Sequence, residues 1–300
     1  MRIGTRRSAL ALAQANLIAE LIEEDCEIVP FVTRGDRRVA EEDKSRWVAE
    51  LEQALSAGEI DLAVHSAKDL PGELAEGLAL HGAPARAAPE DVLCGATRLE
   101  DLPAGARVGT SSIRRMAQLR ATRQDLEVLA LRGNVDTRLA KLADSGEELQ
   151  AIVLAGAGLQ RLGRESEIGG ILDPERFVPA PGQGVLALEG RAEDTSTQAA
   201  VQAITDVSAF ACLRAERAVA VELGASCHTP FGAWASPLEG QRLLLRAWVG
   251  LPDGSSWVRD ALAGQLDASE DLGRELAERL RSVGAEEMLS QAEEMAGVRD

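Results

Sequence analysis

A cysteine stands alone in LGASCHTPFG, Leu223 to Gly232, between a Gly-Ala-Ser lead-in and a Thr-Pro turn. Small, polar, turn-forming neighbours leave the Cys227 thiol accessible, as a nucleophile or an attachment point must be. His228 is next to it, but consecutive side chains point apart in helix and strand, so a Cys-His pair is poorly supported. Cys94 and Cys212 sit in apolar strand and helix settings and read as small core residues, and Cys26 is uninformative. No C-x-x-C occurs, so neither a disulfide framework nor a metal site is expected. The second chemical stretch is HSAKDLP, His65 to Pro71. Lys68 and Asp69 follow a short apolar strand there. Read alone they fit a turn aspartate beside a solvated lysine, but in a cationic pocket the carboxylate can stabilise a developing positive charge.

The basic residues are clustered. They fall in GTRRS (Gly4 to Ser8), GTSSIRR (Gly109 to Arg115), LRGNVDTR (Leu131 to Arg138) and GLQRLG (Gly158 to Gly163). Each stretch reads as a strand-to-helix junction, where unpaired amides and the helix dipole favour anions. Ser111 or Ser112 can also act simply as an N-cap with Arg114 and Arg115 solvated. Four such junctions at the carboxyl ends of strands point to a ligand carrying several negative charges. With a net charge of −17, the chain is not expected to bind nucleic acid.

These groups must be positioned by alternating strands and helices. Strands are expected at 2–4, 28–32 and 61–64, with helices near 9–22 and 47–57. A second run begins near Asp91, with strands at 107–109, 127–131 and 151–154 and helices around 113–120 and 135–143. The two runs open alike, RIGTRRS and RVGTSSIRR, which predicts two similar α/β lobes. A strand at 185–188, after PAPGQG, can return to the first lobe. From Ser208 the pattern becomes a helix, the cysteine loop, strands at 231–235 and 242–249 and two acidic helices, a separate α+β unit. The expected division is 1–84 completed by 185–202, then 88–178, then 206–300. Arg2, Arg6 and Arg7 before an apolar stretch imitate a secretory leader, but the uncharged core is too short and the segment reads as an amphipathic helix. No apolar run is long enough to span a bilayer, and the cysteine usage suits the cytoplasm.

Taken in order, HSAKDLP, VGTSSIRR, LRGNVDTRL, AGLQRLG, PAPGQG and ASCHTPFG closely resemble the hydroxymethylbilane synthase (porphobilinogen deaminase) family over essentially the whole chain. The resemblance implies two lobes like a type II periplasmic binding protein, an active cleft between them, and a third domain carrying the cysteine. It also implies a dipyrromethane cofactor held by a thioether at Cys227. The implied reaction joins four porphobilinogen molecules head to tail with loss of ammonia, through an azafulvenium cation, and releases linear hydroxymethylbilane by hydrolysis.

By the same resemblance, Asp69 contacts pyrrole N–H groups and stabilises the cation. Lys68, Ser112, Arg114, Arg115 and Arg138 hold cofactor carboxylates, with Thr110, Ser111 and Asn134 on the same surface. Arg6, Ser8, Arg132 and Arg161 receive incoming substrate, and Lys44 matches a basic lid residue. The stretch RRVAEEDKSRW is shorter and more acidic than the family's loop, and Ala225-Ser226 replaces a commoner Gly-Gly. A monomer with no membrane or nucleic-acid partner is expected. The alternatives are a small-oxyanion-binding protein using the same two lobes, which has no need of Cys227, and a thiol hydrolase, for which no convincing base is present.

Overall fold

The computed structural model describes residues 1–32, 45–146, 148–226 and 229–297. Its first lobe opens with β1 (Arg2–Arg6), α1 (Ala9–Leu21), β2 (Glu27–Phe31), α2 (Ser45–Ser56), β3 (Leu62–Ser66) and β4 (Leu78–Gly82). The chain then crosses to the second lobe, comprising β5 (Asp91–Cys94), β6 (Arg107–Thr110), α3 (Ile113–Thr122), β7 (Glu127–Ala130), α4 (Val135–Asp144), β8 (Ala151–Ala155), α5 (Gly156–Arg161) and β9 (Gly170–Leu172). It returns through β10 (Leu186–Arg191) and α6 (Thr195–Ile204).

The two five-stranded sheets have one topology. The first runs β2-β1-β3-β10-β4 and the second β7-β6-β8-β5-β9. In each, the lobe's own first three strands are parallel, and the fourth place is taken by a strand arriving from the other lobe and running antiparallel. The expected return strand is therefore present, and β5 is its counterpart. Pro30 is accommodated because β2 is an edge strand. Apolar residues fill both faces of each sheet: Ile3, Ile18, Leu62, Leu186 and Leu188 on one side of the first, and Leu93, Val108, Leu119, Ala151 and Val153 on one side of the second. The fold class is the expected α/β one, two sheet-and-helix lobes with a C-terminal α+β unit.

That unit contains α7 (Val207–Glu222), β11 (Phe231–Leu238), β12 (Arg242–Gly250), β13 (Trp257–Gln265), α8 (Ser269–Arg281) and α9 (Ala285–Ala296). Its sheet has three antiparallel strands where two were expected. The third, WVRDALAGQ, is an edge strand with alternate residues exposed, so its sequence shows little of the apolar bias that marks a core strand. Ala215, Val219, Leu245, Leu276 and Leu280 form its core.

One buried carboxylate fastens this unit to both crossings between the lobes. Glu216 is fully buried, and its Oε1 accepts from Arg86 Nη1 at 2.5 Å and from the Ala235 amide at 2.7 Å, while Oε2 accepts from the Gly182 amide at 2.6 Å. The crossings also touch each other. Gly184 has φ +87°, and a Cβ there would lie 2.5 Å from the Ala87 carbonyl oxygen. Glycine is needed on both counts. The carboxyl end of α7, which leads to the cysteine loop, is thereby held against the cleft.

Candidate active site

Strand ends and helix starts face one another across the cleft. Ser8, Ser112 and Asn134 are the N-caps of α1, α3 and α4, their side chains accepting from the amides of Ala11, Arg115 and Thr137. Capping of this kind stabilises a helix by about 1 kcal/mol. Thr110 is buried behind Ser112 and accepts from its amide at 3.2 Å.

A cavity of about 500 Å³ lies where the two lobes meet the C-terminal unit, lined by Lys68, Asp69, Ser111, Ser112, Arg114, Arg115 and Arg138. It brings together seven of the residues expected to matter. Four further polar lining residues were not anticipated: Gln183 from a crossing segment, Arg217 from α7, and Ser226 and Thr229 on either side of positions 227–228 in the sequence. Cys227, His228 and Lys44 lie outside the described residues. A smaller hollow of about 60 Å³ joins Arg6, Ser8, Gln14, His65, Ser66 and Asp69, so Asp69 belongs to both spaces. Gln14 and Ser66 are joined by hydrogen bonds of 2.9 and 3.1 Å. Arg132 and Asn134 are exposed on the loop entering α4 and line neither space. Arg161, at the end of α5, is also outside both, and donates from Nη2 to the Gly184 carbonyl at 2.7 Å. A hollow of about 660 Å³ between Gly95 and Gln150 lies at the opposite ends of the second sheet's strands, with Asp101 as the one charged residue among the described residues that line it.

The cations of the main cavity are held in two ways. Asp91, fully buried at the start of β5, receives Arg114 Nη1 at 2.7 Å on Oδ2, and Arg115 Nε at 2.9 Å and Gln183 Nε2 at 2.9 Å on Oδ1. Its carboxyl is held far below the usual range by the two guanidiniums and their hydrogen bonds, against the opposing effect of burial. Two arginines share one carboxylate, so the cluster keeps one net positive charge. Arg138 and Arg217 instead donate to backbone carbonyls, those of Gly133 at 2.7 Å and Gly72 at 2.8 Å. Burial lowers Arg138 and Arg161 to about 10, Arg115 adding to the effect at Arg138. Burial also pushes the Lys68 ammonium down to about 8, with Asp69 opposing the shift. Positive charge is concentrated here at an electrostatic cost that an anion relieves. Of the described cysteines, Cys94 and Cys212 are buried, and desolvation pushes their thiols up to about 11 and about 12.

The family model described as porphobilinogen deaminase, dipyrromethane cofactor binding domain, matches residues 1–199, and the model of the porphobilinogen deaminase C-terminal domain matches residues 210–282. The chain belongs to the porphobilinogen deaminase family. Among its relatives, the porphobilinogen deaminase of Thermus thermophilus is 45% identical over 296 residues, spanning 96% of this chain and 98% of that protein. That of Deinococcus deserti is 46% identical over 309 residues, spanning 97% and 98%.

The cavity suits the family's cofactor. A dipyrromethane built from two porphobilinogen units carries four carboxylates, and the cavity offers Lys68, Arg114, Arg115, Arg138 and Arg217. Arg114 Nε is buried with no hydrogen-bond partner among the described residues, a donor that an acidic ligand can satisfy. Among the described lining residues, Asp69 is the acidic side chain.

Proposed function

We propose that the chain is a hydroxymethylbilane synthase that condenses four porphobilinogen molecules on a dipyrromethane primer attached at Cys227. The observation that carries this reading is the cationic cavity bounded by Asp69 on one side and by Ser226 and Thr229, which flank the cysteine, on the other. When bound, the primer would supply the free pyrrole α-carbon that accepts the first ring, each later ring adding to the one before it.

Lys68, Ser112, Arg114, Arg115 and Arg138 hold its carboxylates, and Thr110, Ser111 and Asn134 shape the helix starts beside them. Asp69 orients pyrrole N–H groups and stabilises the positive charge that develops as ammonia leaves. Arg6, Ser8, Arg132 and Arg161 receive incoming substrate carboxylates, each charge-assisted bond contributing about 1.5–3 kcal/mol. Lys44 is assigned with them as a further cation for the substrate. The division into 1–84 with 185–202, 88–178 and 206–300 follows the three sheets. In this reading the protein acts as a cytoplasmic monomer, its free Cys26, Cys94 and Cys212 suiting a reducing compartment.

Intact-mass measurement tests the assignment. The purified protein is expected to exceed its sequence mass by one dipyrromethane, lost in Cys227→Ser. An active preparation at sequence mass, or one loaded elsewhere, sinks the proposal.

A further inference from the structure

Behind the smaller hollow lies a pair of side chains given no role above. His65 and Glu189 lie on the same face of the first sheet, diagonal to each other across β3 and β10, where His65 pairs with Ala187 and Glu189 with Ala63. Glu189 is fully buried and His65 nearly so, with Nε2 2.9 Å from Glu189 Oε2. The separation is that of an ion pair, but the angle is outside hydrogen-bond range, and neither oxygen of Glu189 accepts a hydrogen bond from the described residues. A carboxylate buried in this way is costly when charged unless a cation adjoins it. Among the described residues, the His65 imidazole lies within ion-pair distance of it and is able to carry a proton.

Its surroundings sharpen the point. Glu52 of α2 faces the pair, its carboxyl raised by burial and by Glu189. Arg217 of α7 and His81 of β4 interact with Glu189 electrostatically, and Arg6 and Asp69 share the hollow that His65 lines. The imidazole thus stands between a buried carboxylate and the space assigned to substrate.

We propose that His65 is the proton-exchanging catalytic residue of ring addition and that Glu189 is its positioning residue, an inference resting on the function proposed above. As the substrate's carbon–nitrogen bond breaks, its electron pair leaves with nitrogen and the pyrrole nitrogen's electrons compensate the carbon. His65 gives its proton to that nitrogen, so an amine bound as the free base departs as ammonia. Once the new carbon–carbon bond forms, the pyrrole carbon that made it loses its hydrogen as a proton, and the neutral imidazole takes it. One proton is lent and one returned, so no outside acid or base is consumed.

The test uses full-length protein whose cofactor loading is verified by mass, followed through single-turnover ring addition from pH 6 to 9. H65Q is expected to slow ring addition about 100-fold or more, in line with general acid–base catalysis, while KM for porphobilinogen stays within about threefold if His65 moves protons and does not hold carboxylates. Added imidazole should restore part of the rate to H65G, and E189Q should displace the pH profile. Nitrogen-15 NMR of the cofactor-free protein gives a readout independent of turnover: the His65 ring shifts should differ between the unsubstituted chain and E189Q at one pH. Wild-type ring addition by H65Q, or an H65G defect that imidazole leaves unchanged, overturns the proposal. If the His65 variants do not load, a ring unaffected by E189Q overturns it instead. An unsubstituted chain that adds no ring defeats the functional reading, and the proton role with it, whatever the nitrogen shifts report.

Discussion

Arginine is used in two opposite ways within one cleft. In the second lobe, Arg114 and Arg115 are almost fully buried and bound to Asp91, and each also donates from Nη1 to a carbonyl, that of Val178 or Val153. At Arg138, Arg161 and Arg217 the guanidinium is held by a main-chain carbonyl. A carboxylate partner cancels charge, whereas a carbonyl fixes direction and leaves the full charge in place. The Asp91 cluster is therefore a frame as much as a binding surface, and the carbonyl-held arginines gain more from an acidic ligand. Arg114 illustrates the cost of the frame, since burial lowers its affinity for its own proton despite the neighbouring Asp91.

The largest effect is expected at Asp91. Asp91→Asn leaves two buried guanidiniums without a counter-charge, and removing one partner of a buried ion pair typically costs about 3–5 kcal/mol. Arg114→Leu leaves Asp91 paired with Arg115 and removes a desolvated charge, so its cost should be less than half as large, with impaired cofactor loading. Urea titration of the cofactor-free proteins measures both. Equal losses in the two variants would erase the distinction between frame and binding surface.

The sequence discloses one side of this comparison better than the other. Ser8, Ser112 and Asn134 announce helix starts because capping is local, acting within three residues. The arginines beside them follow from the same reading, and the return of 185–188 to the first lobe is visible as an apolar strand after a proline-glycine turn. Asp91 is not visible as the partner of Arg114, because 23 residues separate them and the pairing exists only once β5 has crossed into the second sheet. Arg217 is hidden for the same reason: on α7 it looks like any solvated helix arginine until that helix docks on the crossings. His65 and Glu189 meet through a register that local periodicity cannot supply. What the sequence withholds are chiefly long-range pairings, and these decide which of its many charges are already spent.

A smaller effect should separate the carbonyl-held arginines from the frame. Arg138→Leu is expected to slow cofactor loading, and Arg161→Leu to raise KM for porphobilinogen, each in proportion to a lost charge-assisted bond of about 1.5–3 kcal/mol, or roughly 10- to 150-fold. Neither should lower the folding free energy of the cofactor-free chain by more than about 1 kcal/mol, because the lost carbonyl contact is offset by the removal of a desolvated charge. Mass-resolved loading kinetics and urea titration on the same samples decide the matter. A stability loss like that of Asp91→Asn, without a ligand defect, would place these residues in the frame.

The smallest effect comes from an ion pair outside the cleft. Asp61 accepts from Arg2 at 2.8, 3.2 and 2.7 Å, and its pKa is lowered to about 2, first by the Arg2 side-chain hydrogen bond, with lesser help from the Arg2 amide and Arg191. A carboxyl whose folded pKa lies below its unfolded value contributes stability above the unfolded value, and the contribution is lost as pH falls through the folded one. The window here runs from about 4 down to about 2. Arg2 is 41% exposed, so solvent screening limits the pair to about 1 kcal/mol despite the size of the shift. Asp61→Asn should therefore lower stability by about that amount at pH 7 and pH 5. The gap between the two proteins should narrow to roughly half near pH 3, where protonated Asp61 begins to resemble asparagine. Asp91 predicts a smaller fractional loss: its carboxyl is held lower still, so although the unfolded chain takes up its proton in the same range, most of the larger gap between the unsubstituted chain and Asp91→Asn should remain at pH 3. Urea titrations at the three pH values compare the pairs directly. If the Asp61 gap persists undiminished at pH 3 while the Asp91 gap closes, burial is not what separates the framing charges from the exposed ones.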